Sequence, residues 1–197
     1  MRPLLDAILV VDIEATCWEG SPPDGQTSDI IEIGCCLLHL PALTVSAPLS
    51  ILVRPERSTL SPFCTTLTTL TAEQVQDGLP FAQACAQLEA EYTADRRVWA
   101  SWGNYDREQF ERQCAELGVP YPFGKTHLNA KALFSLLGGH PKEYGMARAL
   151  AVANLPLVGI HHRGADDAGN IARLLASVLP RPGATSVHSR AAADKHE

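Results

Sequence analysis

The sequence predicts a three-layer α/β domain, in which helices cover both faces of a mixed sheet. Two observations support this prediction. The N-terminal quarter contains short β-branched runs of the kind that form strands, and the rest places apolar side chains at helical spacing around one further strand. With 197 residues, 46% hydrophobic and 19% charged, the chain matches one ordinary globular domain. This composition excludes wholesale disorder.

Three strands are predicted near the N-terminus. Residues 7–14 form a continuous apolar run that ends in acids, which is typical of a central strand buried on both faces. A turn-rich segment of glycines and prolines leads to a second strand over residues 29–38, and a third strand covers residues 49–54, where Pro55 ends it. Because these strands follow one another closely, we expect an antiparallel meander.

Helices dominate the remainder of the chain. Thr71 and Gln74 have the spacing of a capping box at a helix start. Helices are predicted over residues 81–92, 106–117, 130–137, 145–152 and 166–179, with a short strand over residues 98–102. Periodicity is lost after Pro180. We therefore expect the domain to comprise residues 1–180 and residues 181–197 to form a flexible C-terminal tail.

Charge and cysteine usage narrow the function classes. The net charge of −6 gives no overall attraction to nucleic acid, which argues against an architectural coat protein. An enzyme that hydrolyses phosphodiesters remains possible, because gathered carboxylates can hold divalent cations that reverse the local charge. The six cysteines contain no C-x-x-C pair, and no apolar run reaches the roughly 18 residues of a transmembrane helix. We expect a cytoplasmic protein without a secretory signal or a membrane partner, with most cysteines as small buried hydrophobes.

Asp12 and Glu14 end the first predicted strand. Because side chains alternate across a strand, these two carboxylates point to the same face. Like charges side by side are unfavourable unless water, a proton or a cation relieves the repulsion, and hard divalent cations with oxygen ligands do so best. The alternative is that one carboxylate caps the following turn while the other is solvated.

A second polar group, His-His-Arg-Gly-Ala-Asp-Asp at residues 161–167, precedes the last predicted helix. One acid suits the helix N-terminus, where the dipole favours negative charge. A histidine five residues before an acid can reach the same cleft and act as a general base toward water. His161 with Asp166 and His162 with Asp167 have the same spacing, so spacing alone leaves both pairings open. A solvated pair of surface histidines is the alternative.

Asp106 lies at the junction between the strand predicted over residues 98–102 and the following helix. Taken alone, an acid at this position is best interpreted as a helix cap. Each of the three motifs is weak by itself. Their combination in one fixed order, acid pair, junction acid and His-x4-Asp, is more specific than any one of them.

In this order the motifs resemble those of the DEDDh (DnaQ-like) 3′→5′ exonucleases. The matching segments are Asp12-Ile13-Glu14-Ala15-Thr16, Asp106 in Trp-Gly-Asn-Tyr-Asp, and His162-x4-Asp167. Residues 30–34 (Ile-Ile-Glu-Ile-Gly), 60–71 and 166–173 point to a narrower branch, which contains KapD-like proteins and the exoribonucleases that trim histone-mRNA and small-interfering-RNA 3′ ends. The resemblance covers residues 7–179 and implies a ribonuclease-H-like exonuclease domain with a mixed, mainly five-stranded sheet.

The resemblance implies hydrolysis of phosphodiester bonds with two divalent cations, Mg²⁺ or Mn²⁺. In that scheme Asp12 bridges the two ions, and Glu14 and Asp167 hold the ion that activates water. Asp106 supports the second ion, through its water.

The narrower branch also resolves the two possible histidine pairings. Its metal-binding acid is the second of the Asp-Asp pair, which assigns His162 as the general base. Asp166 is then expected to cap the helix and His161 to be a bystander. The usual histidine pKa of ~6.5 suits a general base at neutral pH.

The substrate implied by the resemblance is the 3′ end of single-stranded nucleic acid, with RNA preferred and nucleoside 5′-monophosphates released. The terminal base would stack on Phe63 and Tyr105, the latter standing where the histone-mRNA enzyme has tryptophan. Ala15, Thr16 and Thr68 are expected near the terminal ribose.

Because the chain is acidic, recruitment by a protein partner would suit it. Two alternatives use the same acids: a DNA-directed proofreading exonuclease and an oligoribonuclease limited to very short products. A third is a non-catalytic nucleic-acid-binding module, against which the complete set of acids and histidine argues.

Overall fold

The computed structural model describes residues 4–180, so the predicted tail over residues 181–197 lies outside the described residues. The described residues form a mixed sheet flanked by helices, which confirms the predicted α/β class. The strands are β1 (Leu4–Ala15), β2 (Ile30–His39), β3 (Thr44–Val45), β4 (Leu49–Leu52), β5 (Arg97–Ser101) and β6 (His127–Asn129). The helices are α1 (Pro62–Thr68), α2 (Ala72–Gln76), α3 (Phe81–Tyr92), α4 (Tyr105–Leu117), α5 (Ala130–Leu137), α6 (Met146–Val152) and α7 (Gly164–Val178).

The sheet order is β3-β2-β1-β5-β6, and β4 also pairs with β2. β1 is antiparallel to β2 and parallel to β5, while β5 is parallel to β6. The antiparallel pairs β1-β2 and β2-β4 confirm the predicted meander. The continuous path of the sheet has the five strands that the resemblance implies, and β4 is a sixth strand beside β2. The sequence pattern did not predict β3 and β6, because at two and three residues they are too short to show alternation.

Alternation along β1 divides the core into two layers. Leu9 and Val11 face one side, where they cluster with Phe81 of α3 and Phe110 of α4. Val10 faces the other side, in a cluster formed with α5, α6 and α7. Asp12 and Glu14 share the register of Val10, so both carboxylates point toward the side that α7 covers. The central strand therefore delivers its two acids to one helix.

Most predicted helices form close to the expected residues. α3 and α5 have the predicted bounds, and the capping box of Thr71 and Gln74 opens α2 as expected. α1 was not predicted as a helix, because its threonines and cysteine have low helix propensity. The Ser61 side chain accepts a hydrogen bond from Cys64 N at the start of α1 and stabilises it.

The structure of residues 4–180 also bears on the expectations about the cysteines and about membrane-spanning helices. All six cysteines in this range are free thiols, and five of them are buried, as predicted for small apolar side chains. No helix in the described range combines the length and the apolar character needed to cross a membrane.

Candidate active site

Two glycines allow the start of α7 to touch the sheet. Gly34 lies directly opposite Asp12 in the β1-β2 ladder. A Cβ on Gly34 would lie 1.7 Å from the carbonyl carbon of Gly164, and a Cβ on Gly164 would lie 2.8 Å from Gly34 N. Any side chain at either position would hold the helix away from the strand. The glycine pair therefore sets the separation between α7 and the acids of β1.

This close approach brings three carboxylates together. Oxygens of Asp12, Glu14 and Asp167 all lie within 4.8 Å of one another, although Asp167 is far away in sequence. Asp106 lies in the first turn of α4, and its Oδ1 accepts a hydrogen bond of 3.0 Å from Ile13 N. The four acids line one pocket of about 360 Å³. Asp106 lies outside the group of three but shares their pocket, so all four predicted acids are brought to one place.

The acid cluster is electrostatically strained. Burial raises the pKa of Glu14 to about 8, with further contributions from Asp167, Glu32 and Asp106. Burial and the same kind of carboxylate repulsion raise the pKa of Asp12 well above its usual range. Such shifts mean that protons or cations must neutralise part of the negative charge.

The Asp167 carboxylate is oriented by one oxygen only. Its Oδ2 accepts hydrogen bonds from His162 N at 2.9 Å and is 2.8 Å from His161 Nδ1. Its Oδ1 is buried without a hydrogen-bond partner. A buried, unpartnered carboxylate oxygen next to Asp12 and Glu14 is what an oxygen-ligated divalent cation requires. The residues present therefore fit a site for a divalent cation.

Both histidines of the predicted motif reach the pocket. Their rings stack with centroids 4.0 Å apart, and His162 has a left-handed backbone with φ of 65°. His161 contacts Asp167 directly, so the structure does not leave it as the expected bystander. Burial, together with the neighbouring His161, lowers the pKa of His162. The assignment of His162 as the general base stays a prediction.

The expectation that Asp166 caps the last helix is wrong in detail. α7 begins at Gly164 with Arg163 in the cap position, and the Arg163 side chain makes no capping hydrogen bond. Asp166 lies in the first turn, where its Oδ2 accepts a hydrogen bond of 2.7 Å from Ile160 N. Asp166 therefore fixes the loop that precedes the histidines. Its negative charge still lies in the first turn of α7, where the helix dipole favours it.

A fifth acid, Glu32, lies opposite Glu14 in the β1-β2 ladder and is fully buried. It accepts hydrogen bonds from Arg163 Nε at 3.1 Å, Gly164 N at 3.0 Å and Ser50 Oγ at 2.5 Å. The sequence analysis assigned Glu32 no site role. An acid inside the apolar run Ile-Ile-Glu-Ile was the signal that could have identified it, because a buried charge requires a partner.

The predicted substrate contacts are distributed unevenly. Ala15 and Tyr105 line the pocket, and Tyr105 is 57% exposed. Phe63 is also exposed, on α1, one helical turn before the pocket residue Leu67. Phe63 itself does not line the pocket described by these residues. Tyr105 is thus the predicted aromatic that directly borders the acids.

The two predicted threonines are engaged within the fold. Thr16 Oγ1 lies 2.7 Å from Ser58 Oγ and accepts from Asp29 N at 2.9 Å. Thr68 is fully buried, and its hydroxyl donates to Cys64 O at 2.9 Å. Both therefore support the pocket and do not form its surface. The pocket also contains side chains that the sequence analysis did not single out, namely Cys17, Leu67, Trp102 and Met146.

Comparison with known proteins agrees with this geometry. Residues 9–175 match the family model described as Exonuclease (RNase T). The human protein 3′-5′ exoribonuclease 1 is 30% identical over 185 residues, which cover 88% of this chain and 52% of the human protein. The chain thus spans about half the length of that relative.

Two solved structures are similar to the whole described domain. The nuclease domain of 3′hExo, a DEDDh family member bound to rAMP, has a TM-score of 0.77 and 29% identity, covering 89% of this chain and 92% of that one. A 3′-exonuclease in specific recognition of the histone-mRNA stem-loop 3′ end has a TM-score of 0.78 and 28% identity, covering 89% and 64%. With its four acids in one pocket and its match across residues 9–175, the chain belongs to the Exonuclease (RNase T) family, in the DEDDh branch that contains the histone-mRNA 3′-exonuclease.

Proposed function

We propose that this protein is a 3′→5′ exonuclease that hydrolyses phosphodiester bonds at the 3′ end of single-stranded RNA and releases nucleoside 5′-monophosphates. The observation that carries the proposal is the convergence of Asp12, Glu14 and Asp167 within 4.8 Å, with Asp106 in the same pocket. A non-catalytic binding module would have no need of four mutually repelling acids, whose clustering disfavours the folded state.

Two Mg²⁺ or Mn²⁺ ions are the proposed cofactors, in keeping with the divalent-metal dependence of DEDDh exonucleases. Asp12, Glu14 and Asp167 would hold one ion, and Asp12 with Asp106 would hold the second. When bound, the ions would supply charge neutralisation and Lewis-acid activation at the scissile phosphate. The unpartnered Asp167 Oδ1 supports this ligand set, because it leaves one carboxylate oxygen free for a cation.

His162 is the proposed general base. Because its pKa is lowered by burial, its imidazole is neutral at neutral pH and can accept a proton from the attacking water. Its backbone N–H donates to Asp167 Oδ2, which fixes the backbone of His162 next to the acid cluster. His161 contacts the same oxygen with its ring and holds the carboxylate in place.

Tyr105 and Phe63 are proposed to stack on the terminal base, and Ala15 to lie against the terminal nucleotide. The exposure of both aromatic rings supports this role, since buried rings are not accessible to a base. The named activities of the relatives, an exoribonuclease and a histone-mRNA 3′-exonuclease, favour RNA over DNA. A DNA-directed or short-oligonucleotide exonuclease would use the same acids. Recruitment by a protein partner is a further part of the proposal, since the chain carries a net charge of −6.

We also propose a cytoplasmic location and a single exonuclease domain over residues 1–180. Six free thiols within the described part of the chain support a reducing compartment. Two apolar clusters on opposite faces of one sheet support a single folding unit.

The test is degradation of 5′-labelled RNA and DNA oligonucleotides of matched sequence and of graded length. We expect a ladder that shortens from the 3′ end, requires Mg²⁺ or Mn²⁺, stops on addition of chelator and is faster for RNA. The Asp12→Ala variant should lose this activity and keep its circular dichroism spectrum, because it removes the central ligand and relieves repulsion. Retained hydrolysis in Asp12→Ala would contradict the proposed site, and equal rates on DNA would contradict the RNA preference.

A further inference from the structure

Glu32 is a buried acid that the proposed mechanism does not use. It has no exposed surface, and it lies on the same sheet face as Glu14. Both of its oxygens are fully engaged. Oε1 accepts from Ser50 Oγ and from Arg163 Nη2 at 3.2 Å, while Oε2 accepts from Arg163 Nε and Gly164 N. Unlike Asp167, Glu32 therefore has no oxygen left for a cation, and its charge is neutralised by Arg163.

Arg163 and Gly164, which Glu32 binds, directly follow the two histidines. Arg163 follows His162, whose left-handed backbone, with φ of 65°, is unfavourable for a residue other than glycine. Such a conformation persists only where its surroundings impose it. The chain before it is exposed at Leu157, Val158 and Ile160, so packing does not hold this segment in place.

Among the described residues, the side-chain hydrogen bonds of this segment run to α7, except for the three that reach Glu32. Val158 N donates to Asn170, Ile160 N to Asp166 and His162 N to Asp167, all of which lie on α7. These contacts fix the loop to its own helix but not to the strands that carry Asp12 and Glu14. The bonds to Glu32 are the ones that join the loop to β2.

We propose that Glu32 and Arg163 are positioning residues, which register the histidine loop and the first turn of α7 against the acids of β1. The pair acts together with the Gly34–Gly164 contact: the glycines allow the approach, and the ion pair fixes the loop once the helix is there. The kinetic test of this proposal rests on the hydrolytic function proposed above. A second test, the hydrogen exchange of the loop without substrate, does not need that function.

The chain offers a matched control in the Arg57–Asp29 ion pair. Asp29 is fully buried, and it too accepts hydrogen bonds from an arginine side chain and from two backbone N–H groups, Glu56 N and Arg57 N. The arginine side chains are exposed to similar extents, 21% for Arg57 and 26% for Arg163. Arg57→Met and Arg163→Met therefore both leave a buried carboxylate without its cation, but only the second does so at the histidine loop.

The experiment compares Glu32→Gln, Arg163→Met, the double variant and Arg57→Met. Each is assayed for kcat and KM on labelled RNA at saturating metal, at a temperature where circular dichroism shows all of them folded. We expect Glu32→Gln and Arg163→Met each to lower kcat by about tenfold or more with little change in KM, because a loop displaced by a fraction of an ångström misplaces the reacting groups. The double variant should lose no more than the worse single variant, since both changes remove one interaction. Arg57→Met should lower the melting temperature about as much as Arg163→Met does, and it should leave kcat unchanged.

Amide hydrogen exchange of residues 157–164, measured without substrate or metal, provides a readout independent of activity. Exchange there should accelerate in Glu32→Gln and Arg163→Met and remain at the wild-type rate in Arg57→Met. If Arg163→Met does not fold, Arg163→Lys, which keeps the charge but loses the two-nitrogen contact, takes its place. The proposal is overturned if Arg163→Met lowers kcat while Glu32→Gln does not, because Arg163 would then act on the substrate. It is also overturned if exchange of residues 157–164 is unchanged in Glu32→Gln and Arg163→Met. This second test does not depend on activity, so it can be read even if the wild-type protein shows no hydrolysis.

Discussion

Replacing Gly34 by alanine tests the link between packing and chemistry most directly. A Cβ at this position would lie 1.7 Å from the carbonyl carbon of Gly164, whereas ordinary van der Waals contact begins at 3.4 Å. The start of α7 must therefore retreat by about 1.7 Å, because the colliding atoms belong to the backbone and cannot rotate away. Asp167 lies in the first turn of α7 and would move with it.

That displacement is large compared with a metal-oxygen bond. Mg²⁺ binds oxygen at about 2.0–2.1 Å with little tolerance, so a shift of this size would remove Asp167 from the proposed ligand set. A misplacement of ~1 Å can cost about 100-fold in rate. We expect Gly34→Ala to lower kcat/KM by at least ~100-fold, to weaken Mn²⁺ binding, and to lower the unfolding free energy by about 1–3 kcal/mol from overpacking.

The assays are hydrolysis of labelled RNA, titration with Mn²⁺ followed by electron paramagnetic resonance, and thermal melting. Gly20→Ala is the matched control, because no atom lies within 4 Å of a Cβ at that position. It should behave as wild type in all three assays. Wild-type metal affinity and rate in Gly34→Ala would refute the idea that the glycine contact sets the position of Asp167.

Three further predictions concern single side chains. Without metal, the melting temperature should fall as the pH rises from about 5 to 8: the folded state raises the pKa of Glu14 to about 8, so the stability linked to its proton is present at low pH and is lost as that proton dissociates. This slope should shrink in Glu14→Gln or on addition of Mg²⁺, and a melting temperature that rises through this range would contradict it. His162→Ala should lower kcat by roughly 100-fold or more, and His161→Ala should lower it less; equal losses would mean that the general base was assigned wrongly. Tyr105→Ala should raise KM for RNA by about tenfold, corresponding to a lost base-stacking contact of ~1–3 kcal/mol, with the melting temperature unchanged because this ring is largely exposed; an unchanged KM would remove Tyr105 from the substrate site.

Much of the fold followed from local patterns. The apolar run before Asp12 predicted the central strand, and apolar spacing predicted α3 and α5 to the residue. Elements without a local signal were missed. The two-residue β3 is too short to show alternation, and α1 is built from residues that do not favour helix.

The sequence by itself determined the chemistry available to this protein. Strand alternation placed Asp12 and Glu14 on one face, and the order of acids and histidine along the chain identified the family. These properties depend on neighbours in sequence, so they can be predicted from the sequence without knowing where the rest of the chain lies.

Only the tertiary structure decided which acids cooperate and which are neutralised. Glu32 and Asp167 are both buried acids beside Glu14. Arg163 donates hydrogen bonds to both carboxylate oxygens of Glu32, whereas Asp167 Oδ1 has no hydrogen-bond partner. The contact of Gly34 with Gly164 joins residues far apart in the chain, and no local pattern encodes such a distance. Charge satisfaction and close approach are properties of the packed molecule, because each depends on partners that only the fold brings together.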